Sequence, residues 1–306
     1  STADLQSANA RVVDSAITPT SPVAPRKSRI VMIAFLLAGM LGVGLTLLLE
    51  ALSNTFKGTE EVENRLNLPV LGILPLLKNK QRSEMASMFK LNQDKSFSEA
   101  IRTIRTGVVL TGIDHPHKVL VITSSVPGEG KSCVSSNLAI ALGHMEKVLL
   151  IDADLRRPTM AKNFNFPVGT PGLANLIANT AKLDECIKQV DGIDVMGAGT
   201  VPPNPLELLS SPRFAKALEV LKNKYERIVI DSPPTQAVSD AIVLSTFADS
   251  LIYVIKSDAT HIPQVEKGIG QLLQKNAPIK GIVLNQVDMK KAKKSGYHYG
   301  GYYDYY

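Results

Sequence analysis

Directly after the apolar run KVLVITS (118–124) the chain reads SSVPGEGKSCVSSN, with Gly128, Gly130, Lys131 and Ser132 placed ahead of a helical stretch. Glycines let main-chain N–H groups approach phosphate oxygens, and a helix N-terminus adds aligned donors and a positive dipole. In such a loop a lysine, here Lys131, neutralises the β- and γ-phosphates of a nucleotide, and a hydroxyl, here Ser132, ligates Mg²⁺. The phosphate-contacting stretch is expected to run through Pro127, Gly128, Glu129, Gly130, Lys131, Ser132 and Cys133. One position departs from G-x-x-x-x-G-K-[ST]: Ser125 stands where the first glycine belongs. A ligand-free glycine turn is the plainer alternative. The strand before, the helix after and the GKS spacing favour the nucleotide.

Two further apolar runs end in acids. LLIDADLRRP places Asp152 and Asp154 at one strand end, and RIVIDSPP places Asp231 at another. A carboxylate there holds Mg²⁺ directly or through water. Any one alone would read as a cap or turn residue, but three on the edge that carries the glycine loop point to a site. Asp152 and Asp154 give one carboxylate more than the metal needs, and the spare group is free to orient or deprotonate an attacking hydroxyl. The second chemical signal is the terminus. Tyr297, Tyr299, Tyr302, Tyr303, Tyr305 and Tyr306 crowd the last ten residues, interleaved with Gly296, Gly300, Gly301 and Asp304. This composition forms no packed core. Beside Lys290, Lys291, Lys293 and Lys294 these rings resemble a single-strand stacking platform, but the basic run is short and no RNA-binding fold is visible. Phenols on a nucleotide-binding domain read more naturally as phosphate acceptors.

These groups need a scaffold. Continuous apolar runs at 118–124, 147–154, 193–199, 227–233, 250–257 and 279–286 read as strands covered on both faces. Helical stretches near 132–144, 212–224, 239–248 and 263–274 separate them, which predicts a doubly wound, mainly parallel α/β sheet of P-loop NTPase type. Ligands then sit at the carboxyl ends of the strands. Ahead of it, residues 94–113 predict a helix with Phe97, Ile101, Ile104 and Val108 on one face. Ser96 and Glu99 in that helix also have the spacing of a capping box. LPVLGILPLL (68–77) reads as a short extended segment punctuated by Pro69 and Pro75. Asn285 and Asp288, in VLNQVD, are candidates to lie near an adenine, but the match is too short to rank above a turn.

Ile30 to Leu49 are twenty residues without a charge, and at about 1.5 Å per residue they span the hydrocarbon core as one transmembrane helix. Arg26, Lys27 and Arg29 precede it and Glu50, Glu60, Glu61 and Glu63 follow. That charge count alone would put the N-terminal flank in the cytoplasm; chemistry that needs ATP overrules it. With 306 residues, 44% apolar and 20% charged, the chain is an ordinary folded one, and its 34 basic against 28 acidic side chains are too mild an excess to argue for nucleic acid. Two cysteines, Cys133 and Cys186, exclude a disulfide scaffold and a four-thiolate metal site. A start at Ser1 is expected of a processed or truncated piece.

VPGEGKS (126–132), LLIDADLRRP (149–158), PPNPLELL (202–209), VIDSPP (229–234) and the tyrosine cluster together resemble the bacterial tyrosine kinases (BY-kinases) of capsule and exopolysaccharide export systems, the Wzc type. The resemblance covers nearly the whole chain and implies its C-terminal portion. Residues 1–29 would be the periplasmic end of a truncated copolymerase region, 30–49 the transmembrane helix and 50–93 a juxtamembrane linker. A P-loop kinase domain (94–289) and the basic, tyrosine-rich tail (290–306) would follow. It implies a tyrosine autokinase in the inner membrane, kinase domain and tail cytoplasmic, that phosphorylates a neighbouring subunit's tail and regulates polysaccharide polymerisation and export. ATP and Mg²⁺ are the implied cofactors: Lys131 and Ser132 bind phosphate and metal, Asp154 and Asp231 complete the metal environment, and Asp152 is the base. Glu99, Arg102 and Arg105 match an E-x-x-R-x-x-R element that meets the next subunit of a ring. The implied partners are a cognate tyrosine phosphatase, the export machinery and membrane lipid, with no nucleic acid. The competing readings are a MinD/ParA-like positioning ATPase, whose additional lysine position is Val126 here, and a non-catalytic chain-length subunit.

Overall fold

The computed structural model describes residues 24–52, 54–77, 82–112 and 117–294, and it divides into two units. Among the described residues the first holds one helix, Lys27–Leu52, which contains the expected 30–49 span. Between Ile30 and Leu48 its side chains are mostly apolar and uncovered: Phe35, Met40 and Leu41 are each exposed. By length and composition it is able to cross a membrane.

The second unit begins at Asn54 and is built on one eight-stranded sheet. Its strands are β1 (Val70–Pro75), β2 (Val119–Ser124), β3 (Val148–Asp152), β4 (Lys188–Val190), β5 (Ile193–Met196), β6 (Arg227–Asp231), β7 (Ser250–Lys256) and β8 (Ile279–Val287). They lie in the order β1-β8-β7-β2-β6-β3-β5-β4. Seven strands run parallel, and β4 pairs antiparallel with β5. The continuous apolar runs did become doubly covered strands: β2, β3 and β6 are buried at every residue. Separate apolar clusters cover the two faces. The short β4 was not expected, although Asp191-Gly192 between β4 and β5, both with positive φ, is a strong two-residue hairpin signal.

The segment expected as a juxtamembrane linker differs most. Phe56, Val62 and Leu74 are fully buried, and β1 extends the sheet beyond β8, with Gly72 opposite Val283 and Ile73 opposite Leu284. The described residues between 54 and 93 therefore belong to the compact unit that was expected to start at 94. Pro69 and Pro75 read as punctuation, but β1 is an edge strand, where a missing donor is tolerated. The helix after it, Lys95–Leu110, buries Phe97, Ile101, Ile104 and Val108 as its pattern predicts, each worth about 1.5–3 kcal/mol of removed apolar surface. Its cap is Asp94, whose carboxylate accepts from the Phe97 amide at 2.9 Å. The helix starts too early for the Ser96/Glu99 box.

Candidate active site

β2 leads into the glycine loop at the middle of the sheet, with β7 on one side and β6 on the other. Gly128 and Gly130 take φ of 89° and 90°, conformations that disfavour any side chain. The helix Lys131–Gly143 starts immediately after, so its free N–H groups open where the loop ends. The loop is clamped from β8. Asn285 Nδ2 donates to the Glu129 carbonyl at 2.7 Å, and a Cβ on Gly130 would run into that same amide nitrogen. Asn285, read as a turn residue, is thus a strut of the loop. Asp288 shapes the next turn by accepting from the Lys290 and Lys291 amides.

Two residues of the expected phosphate-contacting stretch, and Ser125 before it, make side-chain hydrogen bonds to other parts of the fold. The Glu129 carboxylate is buried and accepts from the Val126 amide (2.7 Å), the Thr260 hydroxyl (2.6 Å) and the Lys256 amide (3.2 Å). Burial raises its pKa against those hydrogen bonds. Cys133 donates its thiol to the Met85 carbonyl at 3.4 Å, and burial pushes it up to about 12. Ser125, in place of the usual glycine, accepts at 3.0 Å from the buried Tyr253 hydroxyl, which also shares a 3.1 Å hydrogen bond with Thr235. The departure from the glycine motif is occupied by a core hydrogen-bond network.

The charged groups converge. Asp152 and Asp231 are register partners on β3 and β6, so both carboxylates emerge at the same level. Lys131 Nζ lies 3.2 Å from Asp154 and 3.7 Å from Asp231. Ser132 donates to Asp231 at 2.6 Å, as does Ser135 at 3.1 Å. Burial works against the Lys131 ammonium, but Asp231, Asp154 and Asp152 outweigh it and hold its pKa above the usual value. Burial raises Asp231, with Lys131 the main opposing influence. Asp152 is raised to about 7 by burial first and Asp231 second. Its oxygens accept from the Thr159 and Met160 amides, both at 2.9 Å, and from the Asp154 amide at 3.2 Å.

Around these groups lies a cavity of about 890 Å³. Gly128, Lys131, Ser132 and Asp154 line it, whereas Asp152 lies behind the wall. Arg156, Arg157 and Gln286 also line it, and sequence reasoning gave them no role. The signal was present in the RRP that directly follows the paired aspartates. Arg156 is held by the buried Asp240 through two hydrogen bonds, 2.8 and 3.1 Å.

Among the described residues no group of three His, Cys, Asp or Glu side chains is arranged to hold a metal ion. Mg²⁺ needs less, because it keeps several waters and takes its remaining oxygens from substrate phosphates. The Ser132 hydroxyl beside Asp231, with Asp154 across Lys131, is a hard-oxygen donor set of that kind. On the helix Lys95–Leu110, Glu99 forms an ion pair with Arg102, which stands 5.7 Å over the Phe89 ring. Arg105 instead turns inward and donates to the Ala141 carbonyl at 3.1 Å. The tyrosines at 297, 299, 302, 303, 305 and 306 lie outside the described residues.

Comparison with known proteins gives this geometry a family. A family model described as an AAA domain matches residues 117–288, and a G-rich (GNVR) domain model associated with tyrosine kinases matches residues 1–51. The tyrosine-protein kinase ptk of Acinetobacter johnsonii is 33% identical over 93% of this chain, which spans 40% of that relative's length. The tyrosine-protein kinase YwqD of Bacillus subtilis is 34% identical over 74% of this chain and 96% of its own. The kinase domain of Escherichia coli tyrosine kinase ETK superposes with a TM-score of 0.68 at 30% identity, covering 74% of this chain and 93% of that domain. With kinases of this likeness matching over this much of the chain, and one of them covered over nearly its whole length, the chain belongs to the bacterial tyrosine-kinase family.

Proposed function

We propose that the chain is an ATP-dependent protein-tyrosine autokinase whose acceptors are the tyrosines of a neighbouring copy's tail. The observation that carries this is the convergence of Lys131, Ser132, Asp154 and Asp231 beyond a glycine loop, in a chain that ends in six tyrosines.

The loop amides and the start of the Lys131–Gly143 helix bind the phosphates through main-chain donors. Lys131 leaves its carboxylate partners for the β- and γ-phosphates. Ser132, Asp231 and Asp154 would hold Mg²⁺, which supplies neutralisation of phosphate charge. A tyrosine oxygen attacks the γ-phosphorus, the bond to the β–γ bridging oxygen breaks, and ADP and phosphotyrosine result. The phenol proton goes to Asp152. Its raised pKa suits a proton acceptor near neutral pH, and its access requires the Thr159 and Met160 amides to release one oxygen. Catalysis is then mostly positioning and charge neutralisation.

The same reading assigns the Lys27–Leu52 helix to the bacterial inner membrane, with the α/β unit and tail on the cytoplasmic side. Glu99 and Arg102, exposed and paired to each other, would meet the next subunit of a ring; Arg105 joins them only by leaving Ala141. Regulation of capsule or exopolysaccharide export, with a phosphatase to reset the tail, completes the proposal. The test is mass spectrometry of the full chain after incubation with ATP and Mg²⁺. Phosphate on the terminal peptide, absent in Lys131→Met and restored on that mutant's tail by added wild type, is the expected result. ATP binding without any phosphotyrosine would instead make the chain a nucleotide-switched assembly subunit.

A further inference from the structure

Resting on the kinase reading, we infer that Arg157 is a specificity-determining residue. It recognises an anionic group beside the acceptor tyrosine: first a carboxylate, then a phosphate already transferred.

Four charged side chains line the cavity: Lys131, Asp154, Arg156 and Arg157. Lys131 and Asp154 are paired with each other, and Arg156 is locked to Asp240. Arg157 alone has no partner for its guanidinium among the described residues. Its position is nevertheless fixed, because its amide donates to Asp154 Oδ1 at 3.0 Å. The side chain is exposed while Lys131, Asp154 and Asp231 are buried. A free cation anchored at the mouth meets whatever arrives after the nucleotide, and here that is the acceptor segment.

The acceptor sequence carries a matching anion. Asp304 sits between Tyr303 and Tyr305 and is the one acidic residue after Asp288. A guanidinium reads carboxylate or phosphate through paired N–H donors. Arg157 on Asp304 therefore favours Tyr303 or Tyr305 as the first acceptor. Each phosphate added then brings about −1.5 to −2 charges, a stronger partner for the same guanidinium when the adjoining tyrosine enters. The tail is filled outward from Asp304.

The test uses the full chain in nanodiscs with ATP and Mg²⁺, and two peptides in trans, GGYYDYY and GGYYNYY. Wild type is expected to phosphorylate Tyr303 or Tyr305 first, with a KM roughly three- to tenfold lower for the Asp peptide, as suits one partly exposed ion pair. Arg157→Gln is expected to equalise the two peptides and flatten the order on the tail, and Arg157→Lys to restore part of the preference. An Asp/Asn ratio unchanged by Arg157→Gln overturns the inference. So does a rise in the KM for ATP with that ratio intact, which would give Arg157 to the nucleotide. Absence of phosphotyrosine from wild type on tail and peptides alike would remove the kinase reading itself.

Discussion

Replacing Lys131 with methionine removes the one ammonium group beside three buried carboxylates, and the consequence extends beyond lost phosphate binding. Without nucleotide, Lys131 is the counterion of Asp154 at 3.2 Å and Asp231 at 3.7 Å. Breaking a buried pair by deleting one partner costs about 3–5 kcal/mol, because a charge is left without compensation. For a unit of this size that is a fall of roughly 6–20 °C in Tm. The pH dependence separates this cause from a generic packing defect. In wild type the raised Lys131 pKa gives a contribution that is complete below its usual value of 10.5 and is lost only as pH rises through the folded value. It is therefore flat between pH 5 and 9. The raised Asp152 and Asp231 have the same sign at lower pH: the folded state holds their protons more tightly, so stability falls as pH rises above 3.8, for Asp152 through about 7. Without Lys131 those carboxyls rise further. The deficit of the variant is then larger at pH 8 than at pH 5. Thermal unfolding of the nucleotide-free full chain at pH 5, 6, 7 and 8 measures it. A deficit of equal size at pH 5 and 8, or none at pH 8, would refute the ion-pair reasoning.

Gly130→Ala puts a side chain at a φ of 90° and against the Asn285 amide; a loss of about 1–2 kcal/mol from the backbone alone and at least a tenfold weaker fluorescent-ATP affinity are expected. Ser125→Gly restores the usual glycine but takes an acceptor from buried Tyr253. Stability should drop by about 1 kcal/mol in urea unfolding while ATP affinity stays within about twofold. Cys133, with its thiol at about 12, should react with iodoacetamide at pH 8 about a thousandfold more slowly than an ordinary exposed thiol. Labelling of the native chain at the rate of the urea-unfolded one would contradict that raised thiol.

Much of the fold was legible because it is written locally. A doubly covered strand is a continuous apolar run, and the Lys95–Leu110 helix shows its buried face at every third or fourth residue. Residues 68–77 were legible as extended but not as part of the sheet, because a proline is informative only once the neighbour is known: on an edge it is tolerated, inside a sheet it is not. The glycine loop, too, is local chemistry. Its main-chain donors follow from Gly128, Gly130 and a helix start, whatever surrounds them.

The sequence by itself therefore determined the membrane-length helix, the parallel sheet and the glycine loop with its lysine and strand-end aspartates. The tertiary structure decided where those side chains point. Glu129 faces β7 and Thr260 instead of phosphate, Asp152 is turned behind the cavity wall by three amides, and Asn285 reaches back across 156 residues to hold the loop. Among the described residues the tertiary structure also leaves the Arg157 guanidinium without a partner while tying up its neighbour Arg156. For Glu129 and Asn285 the physical reason is the same. Residue spacing sets which atoms are available, but a hydrogen bond or ion pair between distant strands depends on register and burial, which no local window contains.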